Sequence, residues 1–260
     1  MSYETLTLEQ DGQMAVLTLS RPEKRNAISA QMITDLLGAL DHIEASPARV
    51  VILTGSGKAF CAGMDLEGLR AIARQSAGEH LEDSRRMAKM FHRIYSFPKA
   101  IICAVNGAAI AGGCGIATLG DFTLAVPEAK FGYTEVRIGF VPAIVSTFLL
   151  RQVGEKSARE LLLTGKIISA EEAHRLGMVN EIVAPELLLA RARELADQLL
   201  ENSPVSIAAT KRLLAEYVRG ERDAQIRTAV RENARIRESQ DFREGVSSFL
   251  EKRKPRWSGK

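Results

Sequence analysis

The chain has 260 residues, 46% hydrophobic and 26% charged, with a formal net charge of +3. The length suits one large domain, or a domain with an appended segment, and the composition is that of a globular protein. A balance of +3 is too weak to argue for nucleic acid, and three cysteines with no CxxC argue against a disulfide framework.

Residues Tyr3 to Leu19 alternate on either side of Asp11-Gly12, which predicts a β-hairpin with a DG turn. The first ten residues, MSYETLTLEQ, carry no basic-then-apolar signal, so the expected location is cytoplasmic. Ser29 offers an N-cap to a helix with Met32, Ile33, Leu36, Leu37, Leu40 and Ile43 at helical spacing. Val50 to Leu53 is a continuous apolar strand of the kind buried on both faces of a sheet. The glycines of Thr54-Gly55-Ser56-Gly57-Lys58 look like a phosphate loop. The Walker pattern fails twice, at Ile52 where its first glycine belongs and at Ala59 after the lysine. A small-residue loop, Phe60 to Leu66, follows that strand and leads into a helix. His80 to Tyr95 is predicted as an exposed helix with Met87, Met90, Phe91 and Ile94 on a core-facing stripe.

The stretch from Ala100 to Phe140 holds the candidate chemistry. A short β-branched run ends at the turn dipeptide Asn106-Gly107, and Gly112-Gly113 then starts a helix. The unpaired N–H groups of such a start can hold a negative oxygen, and glycine lets a ligand approach the main chain. Glu135 is a lone acid in a loop-like segment bounded by Gly132 and Gly139. An amide nest with one carboxylate is the minimum equipment for proton transfer beside a carbonyl. The apolar run from Ala100 to Gly120 is mostly Ala and Gly and lacks a basic flank, so it is not read as a membrane span.

Asp121 to Val126 is a further strand. Ala143–Gln152, Ser157–Leu163 and Ala170–Leu176 read as short helices, and Met178–Val183 as another strand. Beyond Pro185 the pattern is helical: Glu186–Leu200, Val205–Arg219, then a charged stretch through Arg237 read as a solvated face. Strands alternating with helices predict an α/β core, with the C-terminal helices forming a separate layer. Four scattered histidines and no ligand spacing give no metal site.

The segments RPEKRNAIS, GKAFCAGMDL, AVNGAAIAGGCGIA, AKFGYTEVRIGFVPA, LTGKIISAEEAHRLGMVNEIV and EGVSSFLEKRKPRW, in this order, resemble the enoyl-CoA hydratase/isomerase (crotonase) family. The resemblance runs essentially end to end. It implies a spiral of ββα turns over residues 1–184 and a helical oligomerisation region over 185–260, assembled as a homotrimer or homohexamer. It further implies an acyl-CoA thioester substrate, with coenzyme A as part of the substrate and no separate cofactor. The matching oxyanion donors are the N–H groups of Met64 and Gly112, and the matching acid is Glu135. Residues Lys24, Arg25, Ala62, Asp65 and Leu66 fall where relatives line the CoA path. Phe249 and Lys252 match an FxxK that reaches the CoA of a neighbouring subunit.

One position departs from the pattern. Hydratases of the family usually carry two glutamates, and Gly115 stands where the first would be. Relatives of the methylglutaconyl-CoA hydratase type, which share the EVRIG run, can also lack it. Hydration of a 2-enoyl-CoA is the principal expectation, 3,2-enoyl-CoA isomerisation through Glu135 alone the alternative. An RNA-binding or scaffold role through the basic EKRKPR tail is a third reading, opposed by the low net charge.

Overall fold

The computed structural model describes residues 2–72 and 75–260; Met1, Ala73 and Arg74 lie outside it. The predicted hairpin is present as β1 (Leu6–Asp11) and β2 (Met14–Leu19), antiparallel, with Gly12 at φ +56° in the turn. α1 (Ala30–Ala45) starts where Ser29 Oγ accepts the Met32 N–H at 3.1 Å, and its apolar stripe is buried. β3 (Val50–Gly55) is buried throughout, and β4 (Ala59–Cys61) follows it after a tight turn.

α2 (Leu66–Ile72) and α3 (Ala77–Tyr95) come next. α3 begins three residues before the predicted start, because Ser76 and Glu79 form a reciprocal capping box. Its stripe of Met87, Met90, Phe91 and Ile94 is buried and its opposite face exposed, as expected, while His80 and Ser84 extend the buried side. The stretch from Ala100 becomes β5 (Ala100–Val105), β6 (Ala108–Ile110) and α4 (Gly112–Thr118). β7 (Phe122–Ala125) and β8 (Lys130–Gly132) lead to a single 3-10 turn, Glu135–Ile138.

α5 (Ala143–Thr164) joins two of the predicted helices, interrupted at Gly154, whose φ of +73° breaks the helical path. Then come β9 (Ile167–Ser169), α6 (Ala170–Arg175) and β10 (Glu181–Ile182). The C-terminal helices are α7 (Leu188–Leu200), α8 (Pro204–Tyr217), α9 (Arg219–Ile236) and α10 (Gln240–Leu250).

The chain winds between two sheets. The first has order β1-β2-β3-β5-β7-β10 and is parallel apart from the hairpin; the second has order β4-β6-β8-β9. Each successive turn therefore lays a long buried strand in the first sheet (β3, β5, β7) and a short one in the second (β4, β6, β8). This is the α/β spiral that the resemblance implied. Register along β3, β5 and β7 is continuous, Val50 opposite Ala100 and Ile102 opposite Phe122. Strands β3 and β5 show no in-out alternation because both faces are covered, α7 packing across β3, β5 and β7.

The last two helices turn back onto this core. α9 lies along α3 and α5, and α10 packs on α2 and on the Glu135–Ile138 turn. The approach of α10 is close because of two glycines. A β-carbon on Gly245 would fall 2.2 Å from the Ile138 carbonyl oxygen, and one on Gly139 (φ +68°) 2.3 Å from that of Asp241. The charged stretch ending at Arg237 is a solvated face on one side only: Arg219, Arg227, Arg231 and Arg235 are exposed, whereas Arg222, Asn233 and Arg237 are buried. The buried side packs toward α3, far away in the chain, which no local pattern discloses. No helix among the described residues is long and apolar enough to cross a membrane.

Candidate active site

The site is assembled from three loops at the ends of short strands. The first follows β4. Ile28 donates its N–H to the Gly63 carbonyl at 2.7 Å, and its own carbonyl accepts the Asp65 N–H at 2.9 Å. Alternate backbone groups of an extended chain point to opposite edges, so the Met64 N–H between them is directed away from Ile28. Asp65 continues the ordering: its Oδ1 caps the Glu67 N–H at 2.8 Å and its Oδ2 takes the Arg21 guanidinium at 2.7 Å. These bonds hold the Asp65 carboxyl below its ordinary range against the opposing cost of burial, the largest influence on it.

The second loop opens α4. Ala111 sits at φ +52°, an unusual value for a residue with a side chain, and turns the chain into the helix at Gly112. The Gly112 N–H, at the first position of the helix, has no partner within it. Gly113 is required by packing, since a β-carbon there would lie 2.2 Å from the Cys61 carbonyl oxygen. At Gly112 the nearest atom to such a carbon is the tip of Ile28, 3.0 Å away.

The third loop is the 3-10 turn. Glu135 is 8% exposed, and its Oε2 is buried without a hydrogen-bond partner among the described residues. Burial pushes its carboxyl up to about 7 from the ordinary 4.5, only partly offset by a backbone hydrogen bond. The three cysteine thiols (Cys61, Cys103, Cys114) are free and buried, and the same desolvation pushes each up to about 12. They offer no nucleophile at neutral pH.

Met64, Gly112 and Glu135, far apart in sequence, line one cavity of about 140 Å³. Its walls are otherwise mainly apolar: Ile28, Leu69, Met87, Phe91, Ile138, Phe140, Ile144 and Val145. Met87 and Phe91, read as part of a core-facing stripe, serve both the core and the cavity. An adjoining groove shares Ala62, Met64 and Phe249 with the cavity and adds Lys24, Arg25, Asp65, Leu66 and Arg70. Lys24 also pairs with Glu67 at 3.0 Å, while Arg25 is exposed at φ +52°. Phe249 lines both the cavity and the groove of its own chain. Lys252 is exposed just beyond α10 and lines neither space.

Gly115 is walled off. A β-carbon built on it would fall 2.6 Å from Val145 Cγ1 and 3.1 Å from the Phe91 ring. Among the described residues, no cluster of three or more His, Cys, Asp or Glu side chains could hold a metal ion.

Several positioning residues had escaped the sequence reading. Asn26 is fully buried, donating to the Ser56 and Ala59 carbonyls at 2.9 and 2.8 Å and accepting the Arg21 N–H at 2.8 Å. It ties the Lys24–Arg25 loop to the β3–β4 turn, and the Arg21–Asp65 pair ties it to Met64. The cue available was the Arg-Asn pair beside a proline-started turn, which by itself does not tell a buried amide from a solvated one. On α9, Asn233 and Arg237 also line the cavity.

The family model for enoyl-CoA hydratase/isomerase matches residues 9–260. A Thermus thermophilus protein whose name provisionally assigns it as an enoyl-CoA hydratase is 45% identical over 249 residues, 95% of this chain and 98% of that one. A crotonyl-CoA hydratase of Syntrophomonas wolfei is 35% identical over the whole of both chains. The crystal structure of an enoyl-CoA hydratase/isomerase from Xanthobacter autotrophicus superposes with a TM-score of 0.88 at 29% identity, covering 96% of this chain and 97% of that one.

Proposed function

The chain belongs to the enoyl-CoA hydratase/isomerase family, and from that premise we propose that it adds water to the double bond of a 2-enoyl-CoA. The observation that carries this reading is the meeting of Glu135, with its unpartnered buried oxygen, and the outward N–H groups of Met64 and Gly112 in one mainly apolar cavity. The thioester oxygen accepts from those two N–H groups. Each such donor is typically worth about 3 kcal/mol as charge builds on the oxygen.

With its pKa raised to about 7, the Glu135 carboxyl is available in both forms at neutral pH. The ionised form takes a proton from water as the water oxygen bonds to C3. The C2–C3 π pair moves into the thioester to form the enolate. The same carboxyl then returns its proton to C2, so hydrogen and hydroxyl arrive on one face. Gly115 supplies no second acid, and Glu135 performs both halves.

Coenzyme A lies along the groove lined by Lys24, Arg25, Ala62, Asp65 and Leu66, with Phe249 at the junction. Arg25 and Arg70 present cations to its phosphates, and Lys252 contributes from the tail to the coenzyme A of a neighbouring subunit. Asp65 serves by orienting Arg21 and the start of α2, since its carboxylate is already committed. The assembly is a homotrimer or homohexamer. In support, α8 has no buried residue and exposes Val205, Leu213, Leu214 and Tyr217, more apolar surface than a monomer leaves in water. The tail's Arg253 is held by Glu244 and Glu251, which weakens any phosphate-binding role with RNA. The setting is the cytoplasm.

The test is a spectroscopic assay across 2-enoyl-CoA and 3-enoyl-CoA thioesters. Loss of the conjugated enoyl absorbance with crotonyl-CoA is expected. Conversion of 3-enoyl thioesters to the conjugated form with no hydration of any 2-enoyl thioester would replace hydration by isomerisation.

A further inference from the structure

The cavity carries a polar cluster that water addition does not use. Arg237 is 2% exposed and Asn233 6%, and both line the cavity that holds Glu135. Neither lines the groove that continues past Met64 and Phe249, so they stand on the acyl side of the thioester. Arg237 Nη1 donates to Asp83 at 2.8 Å and Nη2 to Asn233 Oδ1 at 2.8 Å, with the guanidinium 5.4 Å from the Phe140 ring centre. Its Nε–H is buried and has no partner among the described residues.

Asn233 Oδ1 also accepts from Ser84 Oγ at 2.7 Å. These two bonds orient the amide. Turning it over would face its NH2 against a guanidinium, which has no acceptor. The Nδ2 donors therefore point away from Ser84 and Arg237, and no acceptor among the described residues takes them. An acyl pocket that ends on unused donors, screened from bulk water in mainly apolar walls, incurs their desolvation cost with no return. A plain alkyl chain leaves that cost standing. An oxygen on the chain removes it.

We propose that the acyl group this site takes carries an oxygen acceptor beyond its reacting carbons, bound by Asn233 Nδ2 beside the Arg237 guanidinium. This deepens the CoA-thioester reading and rests on it. Hydroxyl, ketone and carboxylate share the required chemistry. Asp83 already balances the Arg237 charge, which favours a neutral oxygen, whereas a carboxylate would add net negative charge beside Glu135.

The experiment is calorimetric titration of the full chain with saturated acyl-CoAs, which cannot react. Chains of matched length end in methyl, hydroxyl, ketone or carboxylate. The expected result is at least about tenfold tighter binding of one oxygenated series than of the methyl series, the size of a good buried hydrogen bond. In Asn233→Asp, the oxygen that accepts from Ser84 and Arg237 is kept and the free donor becomes an acceptor, so that preference should vanish or reverse. Equal or tighter binding of the methyl series by the wild-type protein overturns the proposal, as does an Asn233→Asp variant that weakens every series alike. The wild-type comparison decides even if the variant does not fold. Crotonyl-CoA turnover, scored separately, judges the hydration reading without touching this one.

Discussion

The side chain of Val145 occupies the space that any side chain on Gly115 would need, its Cγ1 lying 2.6 Å from where a β-carbon would stand. The absence of the family's first glutamate is thus accompanied by a filled wall, made by Val145 on α5 and Phe91 on α3. Gly115→Glu alone should fail to create a second acid, because the new side chain meets packed apolar atoms and costs about 1–3 kcal/mol or more by overpacking. Gly115→Glu with Val145→Gly opens that space. The double variant should fold closer to the wild-type melting temperature than the single one and raise hydration relative to 3-enoyl isomerisation. Identical ratios in both variants would show that water activation does not limit the wild-type enzyme.

Glu135→Gln keeps size and removes the base. Turnover of the best 2-enoyl thioester should fall by at least about a hundredfold, with binding of a saturated acyl-CoA nearly unchanged. Wild-type rates on every thioester tried would eliminate Glu135 as the proton-transfer group.

The same substitution should change the pH dependence of stability. The folded-state pKa of Glu135 is raised to about 7 from 4.5, so the native protein holds its proton where the unfolded chain has released it. Its favourable contribution is complete below pH 4.5 and is lost as pH rises through 7. The total is on the order of 3 kcal/mol for this nearly inaccessible group. The substituted amide cannot ionise, so the variant's advantage in melting temperature should grow between about pH 4 and about pH 8. A constant difference across that range would mean that Glu135 ionises freely in the fold.

The two glycines at the start of α4 should respond differently. A side chain at Gly112 meets the flexible end of Ile28 and projects at the oxyanion position, while one at Gly113 runs into the Cys61 backbone. Gly112→Val should therefore fold and lose turnover, and Gly113→Val should lose cooperative unfolding as followed by circular dichroism. Unchanged kinetics in a folded Gly112→Val protein would remove that N–H from the oxyanion assignment.

Assembly is read by sedimentation. A species three or six times the 28.4 kDa chain is expected, and Leu213→Asp with Tyr217→Asp on α8 should shift it toward monomer. A concentration-independent monomer of the unaltered protein would leave the apolar face of α8 without its proposed partner.

Much of this molecule was legible as local chemistry. Asp11-Gly12 turns the hairpin, Ser29 caps α1, the unbroken apolar run of β3 declares a strand buried on both faces, and Gly112 opens α4. Each signal acts between residues a few positions apart, so periodicity, turn preference and capping suffice to read it. Met64, Gly112 and Glu135 could be named from their motifs, although only the spiral brings them to one cavity. What the chain could not disclose is where polar side chains go once its distant parts meet. Arg237 stood in a stretch that looked solvated, and it is buried because Asp83, 154 residues earlier, reaches it from α3. Asn233 meets Ser84 across 149 residues, and Val145 comes to lie against Gly115 from another helix. A buried charge or a filled gap is a property of contacts between elements, and no local pattern encodes the partner that makes it stable.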